Sequence, residues 1–287
     1  MIAILGGLGA AVMWATSTLT SSRSSRIIGP SSTVAWMMLI GLACAVPLAV
    51  VSGPMPAVTP ALAVWLVGSG VGGVAGLLLA YSGLRIGKVG VVSAITSTEG
   101  AIAAVFAVVA GEHLTIPVMA MLCVIAGGVA TVALAAGEAA QLTDPSGRRD
   151  ERRAILFGVA AALCFGVAIF STAQVGKVMT PFGATLPVRV VGVVAVFVPM
   201  ALAGRLQMTR RAVPMVAVIG VADVLGNAAF VVGTQQSIAI AAVLASQFAA
   251  LTAVAAFVLF RERLSPQQRS GVVAIVVGVA ALTAVRG

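Results

Sequence analysis

Glu112-His113-Leu114-Thr115 and Glu262-Arg263-Leu264-Ser265 are one pattern written twice, 150 residues apart, and each leads into a glycine-bearing apolar run. The offset persists elsewhere. Gly76 and Gly83 fall on Gly226 and Gly233, and Gly128-Val129-Ala130 falls on Gly278-Val279-Ala280. Nearer the start the offset is 151, with the Gly29-Pro30 step on Thr180-Pro181 and the run Gly7 to Ala15 on Gly158 to Gly166. A drift of one residue over half a chain is what duplication followed by fusion leaves.

The duplicated unit is too apolar for water. Hydrophobic residues make up 60% of the chain and charged residues 9%, with a mean hydropathy of +1.14, against about 45–50% and about 25% in soluble domains. A helix needs about 20 apolar residues to cross the hydrocarbon. The chain divides into ten such stretches: 2–21, 31–51, 58–81, 88–110, 116–137, 154–176, 182–203, 212–234, 237–259 and 266–285. The expected fold is an all-α integral membrane protein of ten transmembrane helices. Residues 1–137 and 154–287 form two five-helix repeats, joined by a polar linker, 138–153, that carries Asp144-Pro145-Ser146-Gly147 and four arginines. Five is odd, so the second repeat enters the membrane inverted, and a pseudo-two-fold axis lies in the membrane plane. Inverted repeats suit alternating access.

Lysine and arginine stay on the cytoplasmic side. One predicted face collects Arg23, Arg26, Arg85, Lys88, Arg148, Arg149, Arg152, Arg153, Arg205, Arg210, Arg211, Arg261, Arg263 and Arg269; the other has Lys177 and Arg286. This bias places the linker inside and both termini outside. It also accounts for the net charge of +9 without a nucleic-acid partner. No basic residue precedes the first apolar run, so that span is expected to stay in the mature protein. Cys44, Cys123 and Cys164 lie in apolar spans without metal-ligand spacing, and an odd count argues against a closed disulfide framework. No metal or other cofactor is expected.

Gly-Glu-His-Leu-Thr at 111–115 and Arg-Glu-Arg-Leu-Ser at 261–265, each entering the last helix of its half, with Gly127-Gly128 and Gly278 following, resemble the drug/metabolite transporter superfamily, EamA-type branch. The resemblance covers essentially the whole chain, and within the group it is most similar to the YddG-type exporters of aromatic and other amino acids. It implies a basket of helices around a central cavity, with the fifth and tenth spans packing beside the cavity without lining it.

Small residues at four-residue spacing let helices approach in lipid, and Gly68, Gly72 and Gly76 make one such ridge on the third span, read as packing alone. Three charged residues lie well within spans: Glu99, Arg189 and Asp223. Charge at that depth is costly, which makes each a functional candidate. Two readings compete. In one, Arg189 pairs permanently with Asp223 and fixes the seventh span on the eighth. In the other, a carboxylate, Glu99 before Asp223, faces the cavity and exchanges a proton or receives a substrate ammonium. Their repeat equivalents are Ala249, Met38 and Gly73, so the charges are asymmetric on a symmetric scaffold.

The expected cavity wall comprises Trp14 and Ser17 of the first span, Tyr81 of the third, and Thr96, Ser97 and Glu99 of the fourth. From the second half it takes Phe165 of the sixth, Asn227 and Phe230 of the eighth, and Gln247 of the ninth. Trp14 aligns with Phe165, and Ser97 with Gln247. Aromatics matched across a repeat can hold a flat apolar side chain between them; equally, they can pack between helices. Glu112 and Glu262, at the mouths of the fifth and tenth helices, suit amide-capping roles. His113 is a boundary residue.

An enzyme is excluded on chemistry: one boundary histidine and scattered acids supply no nucleophile–base pair, metal cluster or carboxylate dyad. The expected activity is export of small metabolites, foremost amino acids including aromatic ones, across a bacterial-type inner membrane. The expected partners are the bilayer and a small-molecule substrate, with a coupling proton, where transport uses one, on Glu99. The alternatives are a carrier of drugs or of sugar phosphates from the same superfamily, the latter expected to need basic cavity groups, and a channel.

Overall fold

Hydrocarbon offers backbone N–H and C=O groups no partner, so a chain this apolar must satisfy them within helices. In the computed structural model, which describes residues 1–87, 89–141, 148–248, 250–252, 255, 266–267, 270, 273–274, 277–278 and 281, all regular structure among the described residues is helical. In chain order the helices are α1 (Ile2–Ile28), α2 (Pro30–Ser52), α3 (Pro60–Ile86), α4 (Val89–Thr96), α5 (Glu99–Val109), α6 (Ile116–Gln141) and α7 (Arg148–Val175). They continue with α8 (Leu186–Gly192), α9 (Val198–Leu202), α10 (Ala212–Thr234) and α11 (Ile238–Ala245). Six described helical stretches are long and apolar enough to cross a membrane: Ile2–Ile28, Pro30–Ser52, Pro60–Ile86, Arg152–Val175, Gly183–Leu202 and Ala212–Thr234. Glu99–Val109, Ile116–Gly128 and Ile238–Thr252 are shorter apolar helices. The far part of the expected ninth span, most of the tenth, and Glu262 lie outside the described residues.

The two sequence halves are interleaved. α1 packs along α10, α3 along α7, and α5 crosses α11. Glycines permit these approaches. A Cβ on Gly6 would stand 2.6 Å from the Gly233 Cα and the Ala229 carbonyl oxygen, and one on Gly100 would stand 2.5 Å from the Ala242 carbonyl oxygen. The ridge of α3 meets α7: Gly68 faces Ser171, Gly72 faces the Cys164 carbonyl and Gly76 faces the Phe165 ring.

Three expected spans are not plain helices. The fourth breaks between α4 and α5 at Ser97-Thr98, and the ninth breaks after α11 at Ser246-Gln247. Side chains take over carbonyls at both breaks. Thr96 Oγ1 donates to the carbonyls of Val92 and Ser93 at 3.0 Å, and Thr98 Oγ1 to that of Ile95 at 2.8 Å. At the second break Ser246 Oγ and Gln247 Nε2 both donate to the Val243 carbonyl, at 2.7 and 2.9 Å. Hydroxyl and amide side chains so placed compete with the helical ladder. The seventh span begins with a 3₁₀ turn, Gly183–Thr185, and carries a π turn, Val193–Phe197, between α8 and α9. Pro187 and Pro199 stand at the starts of α8 and α9, whereas Pro47 sits inside an unbroken α2. The stretch expected as a linker is helical at both ends, since α6 runs to Gln141 and α7 begins at Arg148.

Candidate functional site

A cavity of about 100 Å³ lies among α1, α3, α4, α5, α7, α8 and α10, with room for several waters. α6 contributes none of its described lining residues. The wall includes Trp14, Ser17, Tyr81, Thr96, Glu99, Phe165, Asp223, Asn227 and Phe230 from the sequence-derived set. Ser97, Gln247 and Arg189 of that set stand behind it. Ser97 is buried at the first helix break. Gln247 is buried at the second, with its Oε1 unpartnered among the described residues.

The aromatic part of the wall is built on glycine. A Cβ on Gly226 would come within 2.7 Å of the Trp14 ring, and one on Gly76 within 2.5 Å of the Phe165 ring. The positions correspond across the repeat, so each half seats its aromatic on a glycine of the other. Trp14 also stands 5.9 Å from the Phe230 ring and meets Phe248 edge-on at 6.4 Å. Tyr81 Oη donates to Met37 Sδ at 3.4 Å, and its hydroxyl neighbours are Ser17 and Ser21.

The polar part centres on α10. Arg189 Nη2 donates to Asp223 Oδ2, forming an ion pair. Asn227 Nδ2 donates to the same oxygen at 3.2 Å and to the Asp223 carbonyl at 2.8 Å. Arg189 is 0% exposed; its Nη1 approaches Met38 Sδ at 3.7 Å and its Nε has no partner among the described residues. Gly41 makes room for the arginine stem, since a Cβ there would stand 2.9 Å from Cδ. Gly192, the repeat equivalent of Gly41, packs reciprocally on Met38, the equivalent of Arg189. Glu99 is the first residue of α5, where the helix dipole favours negative charge. It is 3% exposed, lines the cavity and has no hydrogen bond or ion pair with a described residue.

A second, more open depression of about 290 Å³ is lined by Gly111, Glu112, Phe170, Gln174, Lys177, Thr234 and neighbours. Its lining adjoins that of the central cavity along two helices. Ile169 lines one and Phe170 the other; Phe230 lines one and Thr234, a helical turn on, the other. Glu112 does not cap the helix that follows it. Its carboxylate accepts from Ser237 Oγ and from the amides of Ile238 and Ala239, at 3.1 and 3.2 Å, so it caps α11 in the other half. Lys177 is exposed at this depression.

Sequence reasoning missed Ser69, Thr172 and Phe248. Ser69 Oγ and Thr172 Oγ1 lie 2.6 Å apart across the α3–α7 seam. Ser69 falls on an apolar position of the other half, Ile219, so the duplication gave no signal for it; Thr172 falls on Ser21, a hydroxyl match that does not reveal its partner across the seam.

The EamA-like transporter family model matches residues 1–134 and 152–284. A solved crystal structure, described only as that of a protein, is similar with a TM-score of 0.76 at 17% identity, over 99% of this chain and 98% of that one, a likeness of fold alone. No curated protein matches the chain.

Proposed function

The chain belongs to the EamA-like transporter family, whose members move small molecules across membranes and are not enzymes, and from that premise we propose that it exports amino acids, aromatic ones among them, by alternating access. Its strongest support is the cavity, walled by both sequence halves, with an aromatic side around Trp14, Phe165 and Phe230 and a polar side around Thr96, Glu99 and Asn227. A flat apolar side chain would stack on the first and a polar head would meet the second. In this reading ten spans form two inverted five-helix units, residues 1–137 and 154–287, with the arginine-rich end cytoplasmic and both termini outside.

The boundary at Phe230 and Ile169–Phe170 supports a carrier over a continuous pore, because the cavities on either side of it are separate. For substrate to cross it the halves must part at the arginine-poor end, where Glu112 ties the first half to α11. A sugar-phosphate carrier is less well supported: no basic side chain lines the central cavity among the described residues. Counterflow of labelled phenylalanine in proteoliposomes tests the proposal. Saturable exchange with unlabelled amino acids is expected. Exchange only with a cationic drug or a sugar phosphate would replace the substrate assignment, and uptake without counterflow would identify a channel.

A further inference from the structure

The charges around the central cavity do not balance. Among the described residues, the charged side chains that reach its wall are Glu99 and Asp223. Asp223 is already satisfied, since Arg189 and Asn227 both donate to its Oδ2. Arg189, with no exposed surface, is enclosed behind that pair and offers the cavity no N–H. Glu99 is therefore the acidic group of the wall that no described side chain compensates, a buried carboxyl group bordering the cavity. An unpaired carboxylate at membrane depth is unfavourable unless it holds a proton or a cation sits beside it, and an ammonium can take the proton's place.

The rest of the wall agrees in sign. Trp14, Phe230 and Phe248 present π-systems, whose faces attract cations, and Trp14 is in ring contact with both phenylalanines. A substrate carboxylate would find hydroxyls but no cation among the described lining residues, and the Asn227 amide nitrogen is already engaged with Asp223.

We infer that the cavity recognises its substrate by an ammonium group held at Glu99 and gains nothing from a substrate carboxylate. Arylalkylamines then bind more tightly than the zwitterionic amino acids of the same ring, and the corresponding carboxylic acids are refused. This deepens the transporter reading and rests on it for its biological meaning; its content rests on the charge of the wall.

The test is equilibrium binding of labelled 2-phenylethylamine to the purified full-length protein, competed by unlabelled phenylalanine and 3-phenylpropionate, with phenylalanine counterflow run in parallel. Saturable amine binding is expected. Phenylalanine should displace it at least tenfold less well than the amine itself, and phenylpropionate should not displace it. Glu99→Gln should weaken amine binding at least tenfold, while Glu99→Asp, which keeps the charge, should retain the order of preference. Displacement by phenylpropionate matching that by the amine overturns the inference, as does undiminished amine affinity in a Glu99→Gln protein that melts like the parent. Counterflow of phenylalanine with no amine binding sinks the inference and keeps the carrier. Amine binding with no counterflow keeps the site and sinks the carrier.

Discussion

Arg189 is the largest fully buried side chain among the described residues, and its neighbours explain how a membrane span tolerates it. Asp223 neutralises it, and Gly41 leaves space for its stem. Removing one member of a buried pair strands the other, at a cost of about 3–5 kcal/mol. Arg189→Met should therefore lower the melting temperature in detergent strongly, toward the lower end of that range because Asp223 keeps a narrow exposure to the cavity. The double variant Arg189→Met/Asp223→Asn should recover most of the loss. Equal losses in the single and double variants would show that the pair is not the reason for the placement. Gly41→Val tests the space rather than the charge: its Cβ would press on Arg189 Cδ, and overpacking of this kind costs about 1–3 kcal/mol. From sequence, Glu99, Arg189 and Asp223 stood out because charge in apolar runs is conspicuous. The Arg189–Asp223 pair was one of two readings of the sequence; whether it forms could not be read, because hydropathy does not show which faces of neighbouring helices meet.

Helix continuity is decided at the level of the element. The expected span 88–110 was one apolar run, yet it is split where Thr96 and Thr98 turn their hydroxyls onto main-chain carbonyls. The break places Glu99 at the start of α5 and lets Gly100 press on α11 at the second break. Gly100→Val should therefore be poorly tolerated: the first atom it meets is the Ala242 carbonyl oxygen, which cannot move as a flexible side chain can. A folded, unaltered Gly100→Val protein by size-exclusion chromatography would contradict this crossing. At the other end of α11, Glu112→Ala removes acceptors from Ser237, Ile238 and Ala239. Loss of a cap costs about 0.5–2 kcal/mol, so a fall in melting temperature is expected, with Glu112→Gln, which keeps one acceptor oxygen, falling less. A capping role for Glu112 was legible from its position at a helix mouth. The helix it caps was not, because α11 comes from the other half of the chain.

For the molecule as a whole, the proposed alternating access requires the seams between the halves to move, and the α3–α7 seam is open to direct test. Ser69 and Thr172 face each other with their oxygens 2.6 Å apart, so sulfurs at the two positions would stand near bonding distance. In a background with Cys44, Cys123 and Cys164 replaced by alanine, Ser69→Cys/Thr172→Cys should cross-link on oxidation, abolish phenylalanine counterflow and regain it on reduction. Full counterflow in the oxidised protein would mean that this seam does not move. The sequence by itself determined that the chain is helical and suited to a membrane, because sixty per cent hydrophobic residues leave backbone groups no other way to be satisfied. Through the doubled Glu112 and Glu262 patterns it also exposed the family resemblance. Only the tertiary structure decided that Trp14 rests on Gly226 and Phe165 on Gly76, that Asp223 is paired while Glu99 has no partner among the described residues, and that Phe248 joins the wall. Those facts depend on contacts between residues far apart in the chain, and in a membrane span hydropathy and periodicity report how apolar a helix is, not which neighbour each of its faces meets.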